Sequence, residues 1–344
     1  MQEFFTDSIQ KLKDFEEFMS TPKKIVITTH QNPDADALGS ALGMWGYLNK
    51  KGHRPTVITP TDYPDFLRWM DGEPTVINFE GSRQSEAIQL IAEADGIFCL
   101  DFSVLNRIKS MEEYVKQSAA KILLIDHHQR PEGFADFVYW NEHAAATCEL
   151  IYQFIEKLND TALVDTSIAE CLYAGLMTDT GSFRFDSTSK EVHRIAGELI
   201  NRGIEVNRLH RKIFDSNSFE RMQFLGYCLN KMNYLPEYRV AYFVVSKEEL
   251  EQFHSKNGDT EGIVNYGLSI KDVVMSAIFV ERDDLIKISF RSIEDFSVSE
   301  LSRDHFDGGG HKNAAGGRSQ KSLQETVDKF LGLLPTYKDK LLAN

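Results

Sequence analysis

A chain of 344 residues, 42% hydrophobic and 26% charged, can bury substantial cores, and its length suits two domains of roughly 100–200 residues each. Its 38 basic and 52 acidic side chains leave a net charge of −14. That charge repels a long phosphate backbone and disfavours wrapping of duplex nucleic acid, but it is compatible with a small anion held beside metal ions.

The first nineteen residues mix apolar side chains with Asp7, Asp14, Glu16 and Glu17. They read as an amphipathic surface helix, because a signal peptide needs an uninterrupted apolar stretch. No apolar run reaches the roughly 18–20 residues of a membrane span, so the expected compartment is the cytoplasm, with no membrane contact. Short apolar runs follow at 24–29, 54–59, 96–100 and 121–125, apolar or β-branched on both faces as strands buried between helices are. Helical segments at 36–51, 84–93 and 111–118 separate them. This alternation predicts an α/β domain with a mainly parallel sheet flanked by helices. Further helices are expected at 146–158, 166–177 and 189–202. A charged helical stretch from 205 to 232 then gives way to strands at 239–245, 273–281 and 285–291, the last two joined by the turn Arg282-Asp283-Asp284. A helix at 323–334 closes the chain. The expected division is a catalytic domain over 1–205, a helical linker over 206–234 and a smaller α+β domain over 235–344. Four scattered cysteines, Cys99, Cys148, Cys171 and Cys228, contain no C-x-x-C pair, which argues against both a thiolate zinc site and a disulfide framework.

The chemistry concentrates where predicted strands end. The first strand runs into His30, Pro33, Asp34 and Asp36; the third ends at Asp101; the fourth ends at Asp126, His127 and His128. Ligands of an open α/β sheet bind beyond the carboxyl ends of its strands, so three strands deliver imidazoles and carboxylates to one edge. Asp179 follows an apolar helical segment. Singly, each residue has a plainer reading. Asp34 and Asp36 suit a turn or helix cap, and Asp126 suits a carboxylate that orients an imidazole. Together they suit two metal ions about 3.5–4 Å apart, which need about three protein ligands each and a carboxylate to bridge them. Imidazole and carboxylate without thiolate favour Mn²⁺, with Mg²⁺, Fe²⁺ and Co²⁺ as alternatives.

The pattern of His30, Pro33, Asp34, Asp36, Gly39 and Ser40, followed by Asp101, by Asp126-His127-His128 and by Asp179, resembles the four motifs of the DHH phosphoesterase superfamily. The segment from Gly308 to Gly317, GGGHKNAAGG, resembles the signature of the DHH-associated C-terminal domain. Within the superfamily, the two-domain layout is similar to that of the oligoribonuclease/pAp phosphatases, or nanoRNases. The resemblance implies one ion on His30, Asp34 and Asp101 and a second on Asp36, Asp101, His127 and Asp179, with Asp101 bridging. It also implies that His128 faces the scissile phosphate and that Asp126 supports the histidines from behind, which makes Asp101, His128 and Asp126 the catalytic set.

A glycine-rich loop can form an anion nest from successive N–H groups. The resemblance implies that this one faces the metals across an interdomain cleft and holds substrate through Gly310, His311 and Asn313. Arg291 ends a predicted strand, and its guanidinium fork suits a phosphate; in relatives a similar arginine contacts the substrate's terminal phosphate. The expected activity is release of 5′-mononucleotides from short oligonucleotides, with removal of the 3′-phosphate from pAp. Cleavage of c-di-AMP or its linear product pApA is the main alternative. A manganese pyrophosphatase shares the metal motifs, but the GGGH segment points to a nucleotide. A RecJ-like exonuclease would be longer. A catalytically dead nucleotide-binding regulator would have lost metal ligands that are all present here. A homodimer is implied by resemblance alone.

Overall fold

Strands that are apolar on both faces require cover on both sides, and the computed structural model, which describes residues 9–256 and 258–343, supplies it. Part of the expected N-terminal helix lies outside the described residues; α1 spans Ile9–Phe18. Strands β1 (Lys24–Thr28), β2 (Arg54–Thr59), β3 (Ile77–Asn78), β4 (Gly96–Leu100), β5 (Lys121–Asp126) and β6 (Phe137–Trp140) form a wholly parallel sheet in the order β3-β2-β1-β4-β5-β6. Helices α2 (Ala35–Lys50), α3 (Gln84–Ala92), α4 (Met111–Gln117), α5 (Thr147–Lys157), α6 (Thr166–Asp179), α7 (Lys190–Asn201) and α8 (Val206–Phe214) complete this first unit, Met1–Ser216. Alternation along the strands divides the core. Ile25, Ile27, Phe98 and Ile125 pack with Leu38, Ile151 and Leu172. Val26, Ile97, Cys99 and Leu124 pack on the other side with Ile91, Met111 and Val115. Strand order reverses between β1 and β4, the position where such sheets open a binding crevice.

β3 and β6 were not expected. Two and four residues are too few to carry a periodicity, and each is an outer strand fixed by its neighbour's ladder rather than by its own pattern.

One packing contact matters for chemistry. Gly39, Gly43 and Gly46 lie along the side of α2 that meets α6. A Cβ at these positions would fall 2.4 Å from the Cys171 carbonyl oxygen, 2.7 Å from Leu172 and 2.8 Å from Ile168. Gly175 on α6 answers from the opposite side, where a Cβ would lie 2.6 Å from Asp36 Oδ1. Close helix approach therefore brings the first turn of α2, with Asp36, toward the last turn of α6, with Asp179.

The second unit, Asn217–Asn344, contains α9 (Phe219–Asn230), β7 (Asn233–Leu235), β8 (Val240–Val245), α10 (Lys247–Gln252), α11 (Ile263–Gly267), β9 (Met275–Glu281), β10 (Ile286–Ser292), α12 (Val298–His305), β11 (Gly309–His311), β12 (Ala314–Ser319) and α13 (Leu323–Leu342). Its sheet runs β11-β12-β10-β9-β8-β7, antiparallel except for β8 beside β9. One face packs Phe279, Ile288 and Phe290 with Leu301 and Phe330. The other packs Phe243, Ile278 and Val280 with Phe224, Cys228 and Ile263. Between residues 206 and 234, α8 buries Leu209 and Ile213 in the first unit's core, whereas α9 buries Phe224 and Cys228 in the second's. No helix among the described residues is long and apolar enough to cross a membrane.

The glycine-rich segment is not a loop. Gly309–His311 and Ala314–Ser319 are paired strands joined at Lys312-Asn313, with Gly310 opposite Ala315 and His311 opposite Ala314. Glycine's low strand propensity hides this in the sequence; close packing explains it. At Gly310, φ is +142° and a Cβ would meet the Ala314 carbonyl oxygen at 2.5 Å.

Candidate metal centre

β1 delivers His30, and the backbone then turns so that Asp34 caps α2, accepting the N–H groups of Asp36 and Ala37 through Oδ1 at 3.0 Å each. Its other oxygen, Oδ2, stands 3.9 Å from His30 Nε2, so the capping role and proximity to the imidazole coexist. Asp36 does not cap its own helix. Its two oxygens accept the N–H groups of Thr147 and Cys148 at 2.6 and 2.9 Å, at the start of α5. The residue preceding α5 is Ala146, which has no side-chain oxygen to offer. A carboxylate from a distant helix thus satisfies donors that the local sequence leaves open.

Asp101 lies immediately after β4 with φ +66°, a left-handed conformation that non-glycine residues adopt at a cost, Asp and Asn least of all. Such strain is characteristic of functional positions. The two carboxylate oxygens face different imidazoles: Oδ2 is 3.3 Å from His30 Nε2, and Oδ1 is 3.5 Å from His127 Nε2. Thr147 Oγ1 donates to Oδ1 at 2.9 Å.

After β5, His127 Nδ1 donates to the Ala144 carbonyl at 3.1 Å, as His30 Nδ1 donates to the Gln31 carbonyl at 2.8 Å. A ring whose Nδ1 faces a carbonyl has, in its neutral form, its lone pair on Nε2, and backbone carbonyls commonly orient metal-binding imidazoles in this way. His127 Nε2 is also 3.8 Å from Asp36 Oδ2 and 3.6 Å from Asp179 Oδ2. Asp126 serves His128, accepting from Nδ1 at 2.8 Å and from the backbone N–H at 3.1 Å. Trp140 Nε1 donates to the His128 carbonyl at 2.6 Å. The sequence reading missed Thr147, Trp140 and the carbonyls of Gln31 and Ala144. Thr147 at a helix start reads as an ordinary capping residue, and backbone carbonyls leave no mark in a sequence.

The donor set fits divalent cations. Ligand atoms about 2.0–2.2 Å from one ion stand roughly 3–4 Å from each other, and the spacings above fall in that range. Among the groups that could hold an ion are His30, Asp34 and Asp101; Asp36, Asp101 and His127; and Asp101, Asp126 and His128, with Asp101 common to all three. The electrostatics agree. Burial and the negative charge of Asp101 push the Asp36 carboxyl up to about 7. Burial and the Asp36 charge push Asp179 well up, and Asp179 ends a helix, where the backbone dipole disfavours an anion and favours a cation. Burial opposes charge on both imidazoles, but the carboxylates, Asp101 foremost, outweigh it and raise His30 and His127. Burial likewise opposes charge on Asp101, and His127 and His30 outweigh that to hold it well below the usual range. Carboxylates crowded this closely are unfavourable among themselves and favourable around a cation.

In the second unit, sheet register sets Arg291, Ala314 and His311 in one row across β10, β12 and β11. Paired residues share a face, so a guanidinium and an imidazole flank a methyl group. The Asn313 amide nitrogen is turned inward, donating to Ser292 Oγ at 2.9 Å and to the Glu294 carbonyl at 3.2 Å, where it ties the hairpin to the turn after β10.

Residues 24–176 match the DHH family, N-terminal domain, and residues 237–336 match the DHHA1 domain. The crystal structure of an exopolyphosphatase-related protein from Bacteroides fragilis superposes with a TM-score of 0.92 at 37% identity, covering 97% of this chain and 98% of that one. The chain belongs to the DHH family. This DHH protein is also 27% identical to the bifunctional oligoribonuclease and PAP phosphatase NrnA of Bacillus subtilis, over 85% of this chain and 88% of that protein. It is 26% identical to the probable bifunctional oligoribonuclease and PAP phosphatase NrnA of Streptococcus mutans, over 89% and 92%. The match to the DHH domain stops short of Asp179, which stands 3.6 Å from His127 but belongs to none of the converging ligand groups found among the described residues.

Proposed function

We propose that this DHH protein is a two-metal phosphoesterase that hydrolyses short oligonucleotides to 5′-mononucleotides and removes the 3′-phosphate from pAp. The observation that carries the reading is the Asp101 carboxylate, whose two oxygens address His30 on one side and His127 on the other. One ion would be held by His30, Asp34 and Asp101, the other by Asp36, Asp101, His127 and Asp179; Mn²⁺ is the preferred ion on ligand type, with Mg²⁺ or Co²⁺ as substitutes. Bound there, the pair supplies a nucleophile near neutral pH and neutralises charge on the phosphoryl oxygens.

The chain's own groups do the rest. His128, fixed through Nδ1 by Asp126, presents Nε2 to the scissile phosphate. Residues 1–205 carry the chemistry and 235–344 the grip on substrate, with 206–234 between them. Within that grip, Arg291 receives a phosphate, and the hairpin contributes Gly310 and His311. Asn313 shapes the hairpin. The names borne by the Bacillus and Streptococcus relatives support short RNA and pAp as substrates.

An assay with Mn²⁺ on end-labelled short RNA, pAp, pApA, c-di-AMP and pyrophosphate tests this. The expected result is mononucleotide release from short RNA and AMP from pAp, with weak turnover of c-di-AMP and pyrophosphate. Preferential cleavage of c-di-AMP would replace the substrate assignment, and no turnover of any of them would make the protein a nucleotide-binding regulator. In the same assay, His311→Ala is expected to raise KM for short RNA about tenfold or more, the loss of one charged or stacking contact, with two ions still bound by elemental analysis. Loss of metal from that variant would refute the division of labour between the domains.

A further inference from the structure

All three side chains of one ligand group, Asp36, Asp101 and His127, are held by a single stretch of chain, residues 144–148. The Ala144 carbonyl accepts His127 Nδ1 at 3.1 Å. The Thr147 and Cys148 N–H groups donate to the two Asp36 oxygens, and Thr147 Oγ1 donates to Asp101 Oδ1. His30 and Asp34 use other supports, the Gln31 carbonyl for one and the start of α2 for the other. The stretch has little polarity of its own with which to hold this shape, since Ala144, Ala145 and Ala146 are all buried and end at a methyl group. Glu149, in the first turn of α5, supplies the hold. Its Oε2 accepts the Ala145 N–H at 2.7 Å, and Gln153 Nε2 donates to its Oε1 at 3.1 Å. At 4% exposure it is a core carboxylate, which a fold keeps only where its oxygens are used. The bond from Ala145 matters because the Ala145 N–H and the Ala144 carbonyl belong to one planar trans peptide. Fixing the N–H on one side fixes the direction of the carbonyl on the other, and that carbonyl orients His127.

We propose that Glu149 is a positioning residue of the centre: through the one peptide between Ala144 and Ala145 it orients His127 and sets the affinity of the ion held by Asp36, Asp101 and His127, leaving the ion on the His30 side alone. The assignment rests on the two-metal reading. A carboxylate beside a ligating imidazole fixes its tautomer and strengthens it as a donor to metal; here a peptide stands between the two and passes the effect on. The carboxylate polarises the N–H it accepts, the carbonyl of the same peptide becomes a stronger acceptor for Nδ1, and Nε2 is left facing Asp101 and Asp36.

The test is Mn²⁺ titration of the chelator-stripped full-length protein, with free Mn²⁺ read by electron paramagnetic resonance, for wild type, Glu149→Ala, Glu149→Asp and Glu149→Gln. Melting temperature in chelator is measured on each. Wild type is expected to take up two ions. Glu149→Ala should keep one at wild-type affinity and bind the other about 10–100-fold more weakly, as for loss of a partner that orients a ligating imidazole. Glu149→Asp, whose shorter side chain withdraws its oxygen from Ala145, should show the same selective loss and decides the matter if the alanine variant does not fold. Glu149→Gln, which keeps an oxygen for the Ala145 N–H, should restore most of the lost affinity. A residue that merely caps α5 would lower the melting temperature and leave both affinities unchanged; that result overturns the assignment, as does equal weakening of both ions. A wild type that takes up a single ion overturns the two-metal reading as well. Selective loss of one of two ions, in a protein that cleaves no phosphoester, would leave the positioning role standing and remove the phosphoesterase reading.

Discussion

Asp101→Asn is expected to lower kcat by about 10³-fold or more, since several kcal/mol of charge stabilisation would depend on the metals this side chain is proposed to hold. The substitution isolates charge from shape. Asn tolerates the left-handed backbone at φ +66° nearly as well as Asp, and its amide oxygen can still accept from Thr147 Oγ1, now 2.9 Å from the carboxylate. What it cannot do is present an anionic oxygen both to the His30 side and to the His127 side, because one of the two positions becomes an NH₂ donor. Both proposed ligand groups contain Asp101, so metal content should drop along with turnover. Asp126→Asn is a useful contrast. Its carboxylate contacts His128 and not the paired ligand groups of His30 and His127, so a smaller loss of about 10–100-fold is expected, as for partners that orient a working group. Kinetics with elemental analysis on the two variants check the ordering. Near-wild-type turnover by Asp101→Asn would remove the bridging role.

How much of this could be read from residues alone depended on whether a residue's role is set locally. The four longest strands of the parallel sheet are apolar on both faces and ended within a residue of expectation, because burial on both sides is a property of the run itself. The strand ends then placed His30, Asp101 and His127 at one edge without any knowledge of distances. Roles set by distant partners were hidden. Asp36 reads as a cap for α2, yet its oxygens serve the start of α5, more than a hundred residues away; only the close packing of α2 on α6 through facing glycines makes that geometry attainable. The hairpin holding His311 reads as a loop because glycine has little strand propensity, and its pairing is imposed by β10 and by the lack of room for side chains.

The metal-free protein is expected to lose stability as pH rises from about 5.5 to 8, whereas the Mn²⁺-loaded protein is not. Asp36, raised to about 7 from an ordinary 3.8, favours the fold fully below its unfolded pKa, and that contribution is lost as pH passes through about 7. Asp179 shifts in the same direction. His30 and His127 are raised above 6.5, so their contribution is present below 6.5 and lost as pH climbs through their higher folded values. Asp101 is lowered; its contribution is present above 3.8, is lost only on acidification, and is flat across this window. The four raised groups therefore slope the same way. Across this window Asp36 alone corresponds to on the order of 2 kcal/mol, or roughly 4–8 °C in melting temperature for a unit of this size. Divalent cations displace the protons and turn the repulsion into attraction, so the stabilisation by metal should widen with pH. Thermal melts in chelator and in Mn²⁺ at both ends of the window measure it. Because a net charge of −14 also penalises high pH, Asp179→Asn is the control: it removes one of the raised carboxyls, and the metal-free slope should flatten. An equal slope in that variant would assign the effect to overall charge and not to the centre.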